Sequence, residues 1–478
     1  MRLHYMRLHA AFCLCGSLYP AVHKPRNHLE TRSAGVRQST IFEISRRRGP
    51  ILSARAEAQP IATRVAVSRE DKTIRTSTTY RVRAWLLRHI SRETSSGRFI
   101  PEMDGLRFVA IAMVVSFHLN GYLMAKSYFY EHGPAGPDWL CRSAMVGFHG
   151  VELFFVISGF ILALPFAAHY LAEGPAVNLR KYFLRRLTRL EPPYFVTIFL
   201  LIFLTVVMRQ GPQLALFSHL AASLAYVHNL IYGAPSTVIG VAWSLEIEVQ
   251  FYLLVPLLTL VFAIRSALWR RSLLAGAVFL TVASQSVFLQ HHPRCALSIL
   301  GYLQFFLIGF LLADLFLASS LRRNFYWDLI AFGGWPLLLL LLQSRLLTLW
   351  LFPWALLVLY CAAFRGRCVN HIFRNPWLTA VGGMCYSIYL IHYEVISAVA
   401  RFTKPLGRGL PNPLYLLAQF ALVGTPIVLI CTIYFLLLEK PCMKRDWPQR
   451  LWQSSSDKFL LLRNLNSEKV LRSGLSRP

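Results

Sequence analysis

Arg107 and His118 stand eleven positions apart in a largely apolar run, Met103-Asp-Gly-Leu-Arg-Phe-Val-Ala-Ile-Ala-Met-Val-Val-Ser-Phe-His-Leu-Asn. On a helix that separation is about three turns, or ~16 Å along the axis, and steps of about 100° bring it back close to the starting face. A guanidinium at a membrane edge and an imidazole near mid-bilayer are costly to keep unless they act. Arginine presents a fixed fork of donors to a nucleotide or pyrophosphate, and histidine changes charge near neutral pH. The pair is therefore suited to holding an anionic donor and moving a proton, with both side chains looking into one cavity at different depths. Asp104, three residues before Arg107, either pairs with it or caps the helix N-terminus.

Four further segments carry polar groups inside apolar surroundings. Gly147–Leu162 (GFHGVELFFVISGFIL) places Glu152 early in a span, where a carboxylate can orient an imidazole. In the same segment Ser158 and Gly159 read first as small residues that let helices approach, and His149 as an edge residue. Lys181–Tyr194 holds Arg185, Arg186 and Arg189, which serve as topology signals or as a surface for donor phosphates. Ala242–Tyr252 (AWSLEIEVQFY) carries Glu246 and Glu248 near a span end, and packing does not explain them. Tyr386–Tyr393 (YSIYLIHY) adds His392, for which a satisfied helix–helix contact is as good an account as chemistry.

These groups must be positioned by a membrane bundle. The chain has 478 residues, of which 55% are hydrophobic and 15% charged; a soluble domain carries about a quarter charged. Long apolar runs recur, and the short alternating segments of a membrane β-barrel are absent, so the fold class is all-α and polytopic. Ten spans are expected, near 105–124, 148–168, 193–210, 241–263, 272–289, 296–318, 326–343, 346–364, 377–400 and 414–438. The apolar but broken stretch 214–236 reads as re-entrant or interfacial. Loops holding Arg180–Arg189, Arg265–Arg271, Arg322-Arg323 and Arg365–Arg374 alternate with poorer ones, which puts both termini in the cytoplasm. Arg401, Lys404 and Arg408 run against that trend.

The net charge of +28 lies mostly in the N-terminal stretch and in alternate loops, a pattern of membrane orientation rather than nucleic-acid binding. Residues 1–98 are rich in Arg, Ser and Thr and read as a disordered basic tail, or as an organellar transit peptide. Residues 442–478 read as a short cytoplasmic tail. The nine cysteines show no metal-type spacing, so no metal and no disulfide is assigned.

Six of these segments, in order, resemble the acyltransferase-3 family of membrane O-acyltransferases. They are Asp-Gly-Leu-Arg…His, Gly-Val-Glu-Leu-Phe-Phe-Val-Ile-Ser-Gly-Phe, Arg-Arg-x-x-Arg, Trp-Ser-Leu…Glu…Gln-Phe-Tyr, Tyr-Ser-Ile-Tyr-Leu-Ile-His and Glu-Lys-Pro. The similarity runs from Pro101 to Pro441, within a domain set at residues 99–441. It implies a ten-helix bacterial inner-membrane enzyme that moves an acyl group, most often acetyl, from cytoplasmic acyl-coenzyme A. The acceptor it implies is a hydroxyl of a carbohydrate or glycolipid. Arg107, Arg185, Arg186 and Arg189 would bind the donor, and His118, Glu152 and Glu248 would carry the chemistry, with no metal. Two departures stand out: Glu152 replaces a more usual Asp, and Glu246 is an additional carboxylate. His118 would act as general base or as an acyl-imidazole relay, and Glu152 or another carboxylate would fix its tautomer. The competing class is a membrane exporter, against which stands the lack of an inverted repeat.

Overall fold

The computed structural model describes residues 78–92, 99–127, 130, 139–208, 214–287, 292–318, 323–342 and 344–444. Residues 1–83 and 84–478 form separate units, and the bundle belongs to the second. The expectations for residues 1–77 and 445–478 lie outside the described residues. Within the stretch read as a tail, α1 (Thr78–Ile90) is helical and is followed by Arg92.

The bundle opens with α2 (Pro101–Lys126), where Pro at the first helical position and Glu102 and Asp104 in the first turn suit the helix start. Then follow α3 (Trp139–Val146), α4 (Gly150–Leu171), α5 (Leu179–Met208) and α6 (Leu214–Leu224). After a broken connection come α7 (Trp243–Leu258), α8 (Ala267–Val287), α9 (Ile299–Ala318), α10 (Phe325–Leu341) and α11 (Arg345–Arg365). The bundle closes with α12 (Pro376–Gly383), α13 (Cys385–Thr403) and α14 (Asn412–Tyr434). Among the described residues there is no strand.

Among the described residues, seven helical stretches are long and apolar enough to cross a membrane, and the fold is that of an all-α polytopic membrane protein. The other three expected spans are helical too, each with a local reason for falling short. Of segment 272–289, the described part, 272–287, lies in α8, a 21-residue helix whose first turns carry Arg270 and Arg271. Residues 326–341 of segment 326–343 lie in α10, whose 17 residues rise only ~26 Å, less than the ~30 Å hydrocarbon core. Segment 377–400 is two helices, α12 and α13, which break at Met384. The 214–236 stretch is broken as its composition indicates: α6 ends, Tyr226 takes a positive φ of 56°, and a short helix runs over His228–Tyr232.

Two features set the bundle's geometry. At the crossing of α4 and α9, a Cβ on Gly159 would strike the Phe306 carbonyl, and one on Gly309 the backbone of Val156 and Phe160. The two glycines thus let the helix backbones touch, the close approach that small residues permit in membranes. At the end where α2 begins, Asp314 is fully buried and pairs with Arg270 and, at 2.6 Å, with Arg271. The α5 surface is the reverse: Phe199 and Phe203 are exposed, as befits a lipid-facing helix.

Candidate active site

Five helices, α2, α4, α5, α7 and α13, each turn one face toward a recess of about 910 Å³, counting its open part. On α7 the contributors are Ser244, Glu248 and Tyr252, spaced i, i+4, i+8 along a single face. From α5 come Arg186 and Arg189, from α2 Arg107, and from α4 Ser158. Glu248 is held at its Oε1 by two donors, the Ser158 hydroxyl at 2.6 Å and the Tyr252 hydroxyl at 2.7 Å. Ser158 is therefore more than a packing residue, whereas its neighbour Gly159 does serve the close helix approach.

Three of the arginines singled out by the sequence line the recess, each with its own contacts. Arg107 pairs with the buried Asp104, as one of the two sequence readings expected. The Arg186 guanidinium lies over the rings of Tyr182 and Tyr252 at 5.5 and 5.9 Å, and its Nε is buried without a hydrogen-bond partner. Arg189 stands 3.8 Å from Glu439, which a single π-turn at Phe435–Glu439 carries into the interior. Arg185 is exposed and does not line the recess. It sits one residue from Arg186, about 100° around the helix, and so faces away.

His118 takes a different position from the one its spacing indicates. Arg107 lines the recess, but His118 does not. The shared face of α2 is real; the recess is shorter than that face. Along α13 the wall residues Tyr386 and Tyr389 are followed by His392, three residues and ~4.5 Å beyond Tyr389. There His392 Nε2 meets His118 Nδ1 at 2.9 Å. His118 is half-buried and His392 fully buried, and Tyr393 packs its ring edge-on to His118 at 5.6 Å.

The hydrogen bonds define the tautomers. His392 Nδ1 lies 2.8 Å from the Ile388 carbonyl and 2.9 Å from that of Tyr389. Carbonyls only accept, so this nitrogen carries the proton, and in the neutral ring Nε2 holds the lone pair. It then accepts from His118 Nδ1–H, and the His118 lone pair is placed on Nε2. An imidazole so fixed has the form a general base requires.

Glu152 does not orient His118 in this arrangement. Its Oε1 lies 3.2 Å from His149 Nδ1, and its Oε2 is buried without a hydrogen-bond partner. The reason is rotational: six residues separate Glu152 from Ser158, about 600°, which puts them on different faces of α4. Glu246 is not at the recess either. It is fully buried and accepts the backbone N–H of Asn229 at 2.8 Å, which ties the His228–Tyr232 turn to α7. Sequence reasoning missed Arg92, Tyr252 and Tyr389, all of which line the recess. For the two tyrosines the i+4 spacing from Glu248 and the i−3 spacing from His392 were available signals; for Arg92 there was none. Among the described residues, no group of three or more His, Cys, Asp or Glu could hold a metal ion.

A family model described as an acyltransferase domain matches residues 100–437. The chain belongs to the acyltransferase-3 family. Among its relatives is a candidate O-acetyltransferase of Staphylococcus aureus (strain COL), 26% identical over 334 residues, covering 63% of this chain and 51% of that protein. The peptidoglycan O-acetyltransferase OatA of Listeria monocytogenes is 30% identical over 178 residues, 35% of this chain and 25% of OatA. A candidate peptidoglycan O-acetyltransferase of Bacillus subtilis (strain 168) is 31% identical over 182 residues, with the same coverage of 35% and 25%. The acyltransferase-3 chain thus spans about half the length of the staphylococcal relatives. No solved structure matches it.

Proposed function

We propose that the protein is an O-acyltransferase of the bacterial inner membrane. It moves an acyl group, acetyl by default, from cytoplasmic acyl-coenzyme A to a hydroxyl of a carbohydrate or glycoconjugate. The observation that carries this reading is the fixed His118–His392 pair one turn beyond an arginine-lined recess. Family membership supports the reaction class, and the names of two relatives point to peptidoglycan as one acceptor class.

Arg107, Arg186 and Arg189 bind the donor's phosphates at the mouth, and the acyl arm runs inward past Tyr389. The arm has to cover ~16 Å between the levels of Arg107 and His118, about five extended peptide units. At the inner end the acceptor hydroxyl attacks the thioester carbonyl while His118 Nε2 takes its proton. The carbon–sulfur bond breaks, the imidazolium returns the proton to the departing thiolate, and the pair is reset. His392 touches no substrate in this scheme; it is a positioning residue that fixes the ring and tautomer of His118. Base catalysis of this kind contributes about 10²–10⁴-fold. Glu248, held by Ser158 and Tyr252, is the one carboxylate among the described residues of the recess wall, and in this scheme it sets the depth at which the arm lies.

The test is purified protein with radiolabelled acetyl-coenzyme A and N-acetylglucosamine oligomers. Ester-bound label should appear with wild type and fall to background with His118→Ala. A transporter would show neither hydrolysis nor transfer, and His118→Ala with undiminished transfer would overturn the assignment.

A further inference from the structure

Arg92 lies outside the family match, which begins at residue 100, yet its side chain lines the recess beside Arg107 and Arg189. Its Nη1 is 3.2 Å from Asp104 Oδ1, the same oxygen that pairs with Arg107. Its Nε is buried without a hydrogen-bond partner. Burial, then the nearby Arg189 and Arg107 guanidiniums, push the Arg92 group down to about 9. Among the described residues, four guanidiniums and one carboxylate, Glu248, thus face the recess, with Asp104 shared between two of the four. So crowded a set of cations gains most from an anion with several charges.

The backbone holding Arg92 is clasped from two sides. Lys440 Nζ donates to the carbonyls of His89 and, at 3.5 Å, of Arg88, the last turn of α1. A cation there satisfies open carbonyls and suits the helix dipole. Gly383, ending α12, leaves space for the chain: a Cβ at that position would lie 3.1 Å from Arg92 Cβ. Lys440 is part of the Glu-Lys-Pro motif and, like Arg92, falls outside residues 100–437.

We infer that Arg92 is a fourth donor-phosphate ligand, delivered from the segment before the family domain and held in place by Lys440 as a positioning residue. This rests on the acyl-coenzyme A reading above. The arginine fork matches a phosphate's oxygens, and its open Nε supplies a donor that Asp104 does not use.

Full-length protein in nanodiscs should be titrated with coenzyme A and with dephospho-coenzyme A, and acetyl transfer compared between acetyl-coenzyme A and S-acetyl-pantetheine. Arg92→Gln should weaken coenzyme A binding about 10- to 100-fold and lower the ratio of kcat/KM for acetyl-coenzyme A over S-acetyl-pantetheine by a similar factor. Arg92→Lys should recover part of the loss. Lys440→Met should give a smaller loss in the same ratio, restored by Lys440→Arg, which a merely structural role would not produce. A larger effect on coenzyme A than on dephospho-coenzyme A would place Arg92 at the 3′-phosphate, and equal effects at the diphosphate. Wild type that binds coenzyme A while Arg92→Gln binds it equally removes this inference alone and leaves Arg92–Asp104 as a structural ion pair. Wild type that binds neither nucleotide removes the donor reading, and this inference with it. Should Arg92→Gln fail to fold, the Arg92→Lys and Lys440→Met ratios decide the question.

Discussion

Replacing His392 by Phe isolates the positioning role proposed for it. The ring fits a fully buried site of similar volume, and what disappears is the acceptor for His118 Nδ1–H. A buried donor left without its acceptor is worse by about 1–3 kcal/mol. That penalty can be avoided if His118 rotates or moves its proton to Nε2, and either escape removes the lone pair from the reacting side. At 1.36 kcal/mol per decade, the productive form falls ~5- to 150-fold, and kcat should fall by the same factor. KM for acetyl-coenzyme A should stay within about threefold, since His392 does not line the recess and uniform binding is untouched. The assay is steady-state transfer of radiolabelled acetyl groups, with His118→Ala and the double variant measured alongside. Because His392 acts through His118, the double variant should be no slower than His118→Ala alone. Two losses that multiply, or a His392→Phe enzyme with wild-type kcat, would refute the tautomer argument.

Other outcomes follow from the same structure. Arg107→Gln should raise KM for acetyl-coenzyme A about tenfold or more with a smaller change in kcat, read from initial rates, because the role proposed for Arg107 is to hold the donor rather than to touch the reacting atoms. Asp314→Asn should lower stability by about 3–5 kcal/mol, seen as a lower detergent-solubilised melting temperature, because it leaves two arginines around a buried site without their carboxylate. Gly309→Leu should abolish expression of folded protein or sharply lower that temperature, since its Cβ meets helix backbone that cannot rotate away. Burial holds the His228 imidazole down to about 4, from an ordinary 6.5. The unfolded segment therefore takes up a proton as pH falls through 6.5, while the folded one, with His219 at 2.8 Å, does not until about 4. Local stability of the His228–Tyr232 turn should drop across that window, so the amide protection factors there, which are ratios to the intrinsic exchange rate at each pH, should be lower at pH 5 than at pH 7.

Residues 105 onward announced an apolar helical bundle because hydropathy and helical period are local properties of the chain. The same locality drew attention to Arg107, Arg185, Arg186, Arg189 and Glu248, and offered Asp104 either as the partner of Arg107 or as a helix cap; the structure puts all but Arg185 on the recess and pairs Asp104 with Arg107. Arg185 was read together with Arg186, yet adjacent residues differ by about 100° on a helix, and the fold leaves Arg185 exposed. What the sequence could not contain is which faces meet, and at what height. The partner of His118 is His392, 274 positions away, rather than the nearer Glu152, which is turned toward His149. Arg92 reaches the recess only because α1, Lys440 and Gly383 converge on it from distant parts of the chain. Likewise the break at Met384 that splits one expected span into two is invisible to an average over apolar residues. The alphabet of the site was written in single segments; its pairings depend on how rigid helices pack, and that is set by contacts such as Gly159 on Phe306 that only the folded bundle brings together.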